Sequence, residues 1–373
     1  MDLPGEVMRR LYFRRWYDFR TSRAVRRTTG NIPIANEVGI YLIFPKNGLL
    51  ATHLTMICEM RRAKISPVIV SNLPLSEDDR AKLIPTVARI IERPNVGYDF
   101  GGYRDGFLDL AAELAKLERV WMLNDSVWLV PQSTSWFDDA RALNKDLVAA
   151  TSNFAMPRVD PHRYRDITWT HDTSHKNFHY ASYAIGFGKR VLRDPEFIGY
   201  WRKLHITNDK TRTVRRGEIG LTQWALRHDF THAATYDVSK LDEDLSRYHN
   251  IEIDRIAREL VIPDDAALED IQEEVLRIDS NTEEGRLNRI ALILTTVSRR
   301  ASAYALPAYS LRNGFHFLKK SPLWLSSGGA AAMAKLIARI EGPMGDEIRR
   351  EAIMLLRAGD KKLEDVMYRR SRE

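Results

Sequence analysis

Residues 93–107 read R-P-N-V-G-Y-D-F-G-G-Y-R-D-G-F, and residues 119–132 read R-V-W-M-L-N-D-S-V-W-L-V-P-Q. The first block follows a short apolar segment and opens a glycine-rich turn. A helical pattern comes next, and the second block is then a buried strand with a carboxylate at its C-terminal tip. Strand, turn, helix and strand in that order build a nucleotide-binding crevice, because ligands of open α/β sheets sit outside the carboxyl ends of the strands. Asp99 and Asp125 then stand at two strand tips that face one crevice.

The chain before these blocks repeats the same alternation. Residues 38–44 (V-G-I-Y-L-I-F) are a continuous apolar run of strand length, the mark of a strand buried on both faces, and residues 66–71 (S-P-V-I-V-S) are the second strand. Residues 49–63 between them have helical periodicity. Ser76, followed by Glu77, Asp78 and Asp79, is a helix start with a side-chain cap and acids near the dipole. Residues 87–92 and 119–123 are the third and fourth strands, with a helix over 106–117 between them. A helix over 137–144, strands over 146–151 and 183–187, and a helix over 196–204 complete the pattern. It predicts a doubly wound, mostly parallel sheet flanked by helices. Residues 152–180 are polar and histidine-bearing and read as an active-site loop. T-R-T-V-R-R-G-E-I-G (211–220) reads as a basic loop before a helix at 221–227. Residues 255–373 are helical by pattern, without a strong strand signal.

The chain has 373 residues, 44% of them hydrophobic, enough for one large α/β domain with a helical appendage, or for two domains. A single cysteine, Cys58, excludes an internal disulfide framework and a cysteine-based zinc site. No apolar run reaches the roughly 18 residues of a membrane span, and arginines interrupt any secretory apolar region. The expected location is the cytoplasm. The net charge is +7, and residues 1–30 hold eight arginines against three acids, interleaved with aromatics such as Phe13, Trp16 and Phe19. Residues 9–27 therefore suit an anionic membrane surface, or else a basic helix packed on the domain. Nucleic acid is not expected, since the basic excess is confined to this tail and no nucleic-acid motif follows.

Several residues can carry chemistry. Glycines in 95–102 let the backbone approach a ligand, and a helix N-terminus just beyond favours an anion. Neither the dinucleotide fingerprint nor a P-loop is present. Asp125 at a strand tip can hold a divalent cation (Mg²⁺ or Mn²⁺) that bridges a diphosphate. Glu218 can act as a general base or simply stabilise a helix N-terminus. Arg212, Arg215 and Arg216 can neutralise phosphate oxygens. His171, His175 and His179 recur every four residues but lack a helical apolar stripe, so substrate contact is the expectation rather than a metal site. His228, His232 and His249 are further candidates. There is no nucleophile elbow, no zinc-protease motif and no kinase motif set.

Four blocks in order, 95–107, L-N-D-S-V-W-L-V-P (123–131), H-Y-A-S-Y-A-I-G-F (179–187) and G-E-I-G-L-T (217–222), resemble the rhamnan synthesis protein F family over about residues 36–240. Those proteins are similar to GT-A-type glycosyltransferases. The resemblance implies a GT-A-like, Rossmann-type domain over 36–250; the basic segment before it (1–35) and the C-terminal helical region after it (251–373) fall outside the resemblance. It implies that Asn95, Gly97, Asp99, Asn124 and Ser126 bind a nucleoside-diphosphate sugar, whose phosphates Arg215 and Arg216 can meet by their own charge. His179, Ser182 and Tyr183 then meet the acceptor, and Glu218 and Asp125 are catalytic. Asn124 stands where a metal-binding D-x-D has its first acid, and Ala181 where the family more often has glutamine. The implied activity is transfer of a sugar, rhamnose by family, to a bacterial polysaccharide or lipid-linked glycan at the inner membrane face. The alternative is a non-catalytic nucleotide-sugar or glycan binding module in a polysaccharide assembly complex.

Overall fold

The computed structural model describes residues 24–153, 159–207, 209–262, 265–299, 301–325 and 327–370. Most of the basic segment proposed for a membrane surface lies outside these residues. Contacts divide the described chain into two units: residues 24–125, 135–150 and 179–235, and residues 126–134, 151–178 and 236–370.

The first unit is an eight-stranded mixed sheet flanked by helices. Its strands are β1 (Arg26–Thr29), β2 (Glu37–Ile43), β3 (Ser66–Ser71), β4 (Arg89–Glu92), β5 (Arg119–Asn124), β6 (Leu147–Ala149), β7 (Ala184–Gly188) and β8 (His232–Ala234), in the order β1-β4-β3-β2-β5-β7-β6-β8. Neighbours from β4 through β5 are parallel. The continuous apolar runs in β2 and β3 follow from this, because both faces are covered: Ile40, Val68, Ile69 and Val70 are all 0% exposed. Two strands run against that direction. The edge strand β1 is antiparallel to β4, and β7 is antiparallel to both β5 and β6. Ala184 faces Leu123 in that register. The residues that enter β7 therefore lie at the edge where β5 ends.

Arg26 and Arg27, at the end of the basic segment, are strand residues. Arg27 Nε bonds Asp109 Oδ1 at 2.8 Å, and Arg26 approaches Glu77 at 3.4 Å. Helices α1 (Ala51–Arg62), α2 (Glu77–Leu83), α3 (Tyr98–Asp109), α4 (Trp136–Ala142), α5 (Pro195–Lys203) and α6 (Gly220–Arg227) are the longer helices of this unit. Ser76 caps α2 as expected, accepting the Asp79 N–H at 3.0 Å.

Two local expectations are corrected. The helix after β4 begins at Tyr98 rather than Gly106, so Gly101, Gly102 and Gly106 lie inside it and are buried. A Cβ on Gly101 would stand 2.2 Å from the Val96 carbonyl oxygen, and one on Gly102 would stand 2.3 Å from Leu42 Cδ1. Those glycines serve close packing, and only Gly97, at φ +81°, serves as the turn. The basic stretch at 211–220 is not a loop either. Lys210–Thr213 is helical, Val214–Ile219 forms a π-helical turn, and α6 continues from it.

The second unit is mainly helical, with Asn250–Arg258, Ala266–Arg277 and Glu283–Arg299 among its helices. It also contains a strand pair, Val127–Leu129 antiparallel to Phe317–Lys319, which helical periodicity did not announce. Trp128, Leu318, Met333, Ile337 and Ile348 form a core there. Among the described residues no helix is long and apolar enough to cross a membrane.

Candidate active site

The carboxyl edge of the parallel strands collects most of the residues that the sequence singled out. After β4, the buried Arg93 organises the turn. Its Nε bonds Asp105 at 2.6 Å, its Nη1 bonds Asn72 Oδ1 at 2.5 Å, and its Nη2 donates to the Val96 carbonyl at 2.7 Å. This fork holds 94–97 in place, and α3 starts immediately beyond it. Tyr98 is 42% exposed and sits at φ +50°. A non-glycine residue in that region costs of order 1–3 kcal/mol and is concentrated at functional sites. Asn95 is exposed on the same turn, and Asp99 is half-buried in the first turn of the helix.

Asp99 and Asn124 meet directly: Asn124 Nδ2 donates to Asp99 Oδ2 at 3.1 Å. Asp125 follows at the tip of β5. Its Oδ2 accepts the Phe44 N–H at 2.7 Å and lies 3.3 Å from Nε2 of His53, a residue 1% exposed. Tyr103, on α3, lies within the electrostatic reach of all three acids. Its hydroxyl donates to the Ser182 carbonyl at 3.0 Å. Burial raises its pKa well above the usual phenol range. Asp99 adds to the rise, the Asn124 hydrogen bond opposes it, and Asp125 and Glu218 add further.

Glu218 approaches from the π turn. Its Oε1 accepts both the backbone N–H and the hydroxyl of Ser182, each at 2.9 Å. Its Oε2 lies 3.9 Å from His179 Nε2 and accepts no hydrogen bond among the described residues. The side chain stays 21% exposed. One oxygen is thus fixed by Ser182, and the other lies beside His179. Tyr183 is buried, and burial first and Glu218 second push its pKa upward. Tyr200 secures the π turn by donating to the Arg216 carbonyl at 2.9 Å and the Gly217 carbonyl at 3.2 Å. A Cβ on Gly217 would stand 2.3 Å from the Phe100 ring, so the turn packs directly on α3. π turns inside helices are rare and occur often at functional sites.

Of the predicted residues, Asp99, Asn124, Asp125, His179, Ser182, Tyr183 and Glu218 thus share one neighbourhood. Arg215 is exposed and Arg216 half-buried on the Glu218 turn, and neither makes an ion pair among the described residues. Ser126 belongs to the second unit, where its hydroxyl accepts from Lys319 Nζ at 3.0 Å. His171 and His175 lie in irregular chain, and His249 precedes the helix Asn250–Arg258 of the second unit. His53, Arg93 and Tyr103 were missed. Arg93 and Tyr103 belong to the opening block, whereas His53 is a lone histidine on a helix and gave no signal.

Among the described residues no group of three or more His, Cys, Asp or Glu side chains is arranged to hold a metal ion. Among the described residues this donor set does not form an all-protein cage. It suits a hard cation that one carboxylate and a ligand's phosphate oxygens hold together.

Residues 67–261 match the rhamnan synthesis protein F family. The chain belongs to that family. A relative, an uncharacterized protein of Sinorhizobium fredii (strain NBRC 101917 / NGR234), is 32% identical over 230 residues, 61% of this chain and 55% of its own length. The chain thus spans about half the length of that curated relative. Among solved structures, a mannosyltransferase of Pyrobaculum calidifontis in complex with GDP-Man and Mn²⁺ matches 92% of this chain and 88% of its own, at 15% identity and a TM-score of 0.31. Core-mannan synthase A of Aspergillus fumigatus in its Mn/GDP form matches 47% of this chain and 65% of its own, at 9% identity and a TM-score of 0.25. The family match spans β3 to β8 and so takes in the whole carboxylate neighbourhood from Asp99 to Glu218.

Proposed function

We propose that this chain is a GT-A-type glycosyltransferase. It moves a sugar, rhamnose by family, from a nucleoside diphosphate to a glycan or lipid-linked acceptor by single displacement with inversion. The observation that carries this reading is the split state of Glu218. Its Oε1 is pinned by Ser182, while Oε2 accepts no hydrogen bond among the described residues and lies 3.9 Å from His179 Nε2. A general base must be held in orientation and still keep one lone pair for the incoming proton.

In this mechanism Glu218 Oε2 takes the proton of the acceptor hydroxyl. The acceptor oxygen forms a bond to the anomeric carbon as the bond from that carbon to the diphosphate breaks, and the electron pair leaves with the diphosphate. His179, Ser182 and Tyr183 border the acceptor position. Asn95, Gly97, Asp99 and Asn124 form the donor side, and Asp125 is the carboxylate that would hold a divalent cation. Such a cation, when bound, neutralises charge on the departing diphosphate. Arg215 and Arg216 offer the same service from the π turn. A cytoplasmic site on the inner membrane face completes the reading.

The test is a donor screen with dTDP-, UDP- and GDP-sugars, each with and without Mg²⁺ or Mn²⁺, read as thermal shift and as slow donor hydrolysis. A ligand that binds only the folded chain raises its melting temperature. The reading expects a shift with one nucleotide and hydrolysis that Asp125→Asn and Glu218→Gln abolish. Binding without hydrolysis would favour a binding module. Transfer that survives both substitutions would remove these two residues from their roles.

A further inference from the structure

The opposite edge of the same sheet carries a second concentration of charge. β5 begins there with Arg119, β6 is preceded by Lys145 and Asp146, and antiparallel β7 ends there at Gly188. A cleft of about 740 Å³ opens at this edge. The six residues of β5, at about 3.3 Å each, put roughly 20 Å between the two edges. The cleft is therefore separate from the Asp125–Glu218 neighbourhood.

Five cations line it: Arg119, Lys145, Lys189, Arg190 and Arg193. Three acids also line it, and all three are engaged. Glu118 bonds Lys189 Nζ at 2.6 Å. Asp146 Oδ2 accepts from Arg190 at 3.0 Å, from the Thr231 N–H at 2.8 Å and from its hydroxyl at 2.9 Å. Asp194 caps α5 by accepting the Glu196 N–H at 2.7 Å. Among the described residues, Arg119, Lys145 and Arg193 are left without a carboxylate partner. Arg119 is held over the Trp121 ring at 5.3 Å and reaches the Lys145 carbonyl only at 3.5 Å. Its Nη1 is buried with no hydrogen-bond acceptor. A buried guanidinium N–H left unbonded is costly, and folding alone has not compensated this one. Arg193 donates only to the Ala115 carbonyl, at 3.2 Å.

We infer that this cleft is a second binding site, built for a soluble phosphomonoester. Five cations against three acids leave the cleft with a net charge of +2, which matches a dianion better than a single carboxylate, and a phosphomonoester carries close to two negative charges at neutral pH. Guanidinium forks match phosphate oxygens. The volume is that of a small-molecule site, and a concave wall suits a soluble ligand better than a flat lipid surface does.

The test uses the full chain and isothermal titration with inorganic phosphate and with glucose 1-phosphate, against sodium chloride at matched ionic strength. The variant is Lys145→Ala combined with Arg193→Ala. Both side chains are exposed, and circular dichroism and melting without ligand verify its fold. Saturable binding of both phosphates that the variant weakens about tenfold or more is the expected result. Equal binding by parent and variant would overturn the site, because phosphate would then sit elsewhere, the donor crevice included. Chloride matching phosphate would overturn it too. Binding to phosphatidate vesicles but not to glucose 1-phosphate would overturn the soluble ligand.

Discussion

His53 Nε2 lies 3.3 Å from Asp125 Oδ2, while His53 Nδ1 accepts the Leu50 N–H at 3.2 Å. The second contact fixes the first. A nitrogen that accepts a hydrogen bond carries no proton, so in the neutral ring the proton is on Nε2 and points at the carboxylate. His53 thus holds Asp125 from the helix that follows β2, and the Phe44 N–H holds the same oxygen from the end of that strand. Replacing the partner of a site ligand commonly costs 10–100-fold. His53→Leu is therefore expected to lower donor turnover by about that factor, and His53→Gln, which can present an N–H, should keep more of it. Steady-state kinetics on both variants, with melting curves as a check on folding, decides this. Equal turnover in both would mean that His53 only fills space.

Glu218→Gln offers a sharper separation. A glutamine that presents its carbonyl oxygen to Ser182 keeps both hydrogen bonds, so the fold and donor binding should hardly change. The proton acceptor is lost, and turnover should fall by about 10²–10⁴. Donor affinity measured by titration and turnover measured under saturation must diverge. If they fall together, Glu218 is organising the donor site rather than accepting a proton.

The opening motif was legible for position and misleading for conformation. Its strand order, its two carboxylates and the Ser76 cap follow from apolar runs and turn chemistry, and the structure has them. The glycines were read as a loop, since the sequence alone does not show how closely α3 approaches β2. Gly101 packs on a backbone carbonyl, whereas a Cβ on Gly106 would stand 2.7 Å from Ile40 Cγ2. The π turn was hidden for a similar reason: R-R-G-E-I-G has the composition of a loop, and Tyr200, well before it in sequence, supplies bonds to its carbonyls. His53 was invisible because its role depends on a strand tip about seventy residues away.

Those glycine contacts can be ranked. Alanine in a helix gains about 1 kcal/mol over glycine, so a loss on substitution measures the clash. Gly101→Ala must displace backbone and is expected to destabilise by about 1–3 kcal/mol net. Gly106→Ala meets a side-chain methyl group and should cost less. Urea melts of the two variants test this order, and the reverse order would mean that α3 shifts as a body to accommodate either.

In the second unit, Glu351 is 4% exposed and joins Lys320 Nζ at 2.5 Å to Trp128 Nε1 at 2.8 Å. Removing one partner leaves a buried ammonium uncompensated, which typically costs 3–5 kcal/mol. Glu351→Ala is expected to lower stability by about that amount, while Glu351→Met with Lys320→Met should recover much of it. A single variant as stable as the parent would show that water reaches Lys320 once the carboxylate is gone.

Acid stability should report on Arg80 and Glu92. Both are buried, and Glu92 accepts from Arg80 Nε at 2.9 Å, from Nη2 at 3.0 Å and from the Leu75 N–H at 2.8 Å. Burial pushes the Glu92 carboxyl upward, but the Arg80 guanidinium and the Leu75 N–H outweigh it, and the net shift is below the usual carboxylate value. A pKa depressed by folding means that the unfolded chain binds the proton more readily. The pair therefore adds stability at pH values above the unfolded pKa, and this contribution fades as pH falls through the lower folded value. Glu92→Gln should accordingly be less stable than the parent near neutral pH. The gap between the two should narrow once the pH drops below about 4, where the unfolded carboxyl is protonated. Melting temperatures of both proteins from pH 7 to pH 3 give the comparison. A gap that stays constant across this range would mean that Glu92 contributes shape and hydrogen bonds to its strand, and that its charge carries none of the difference.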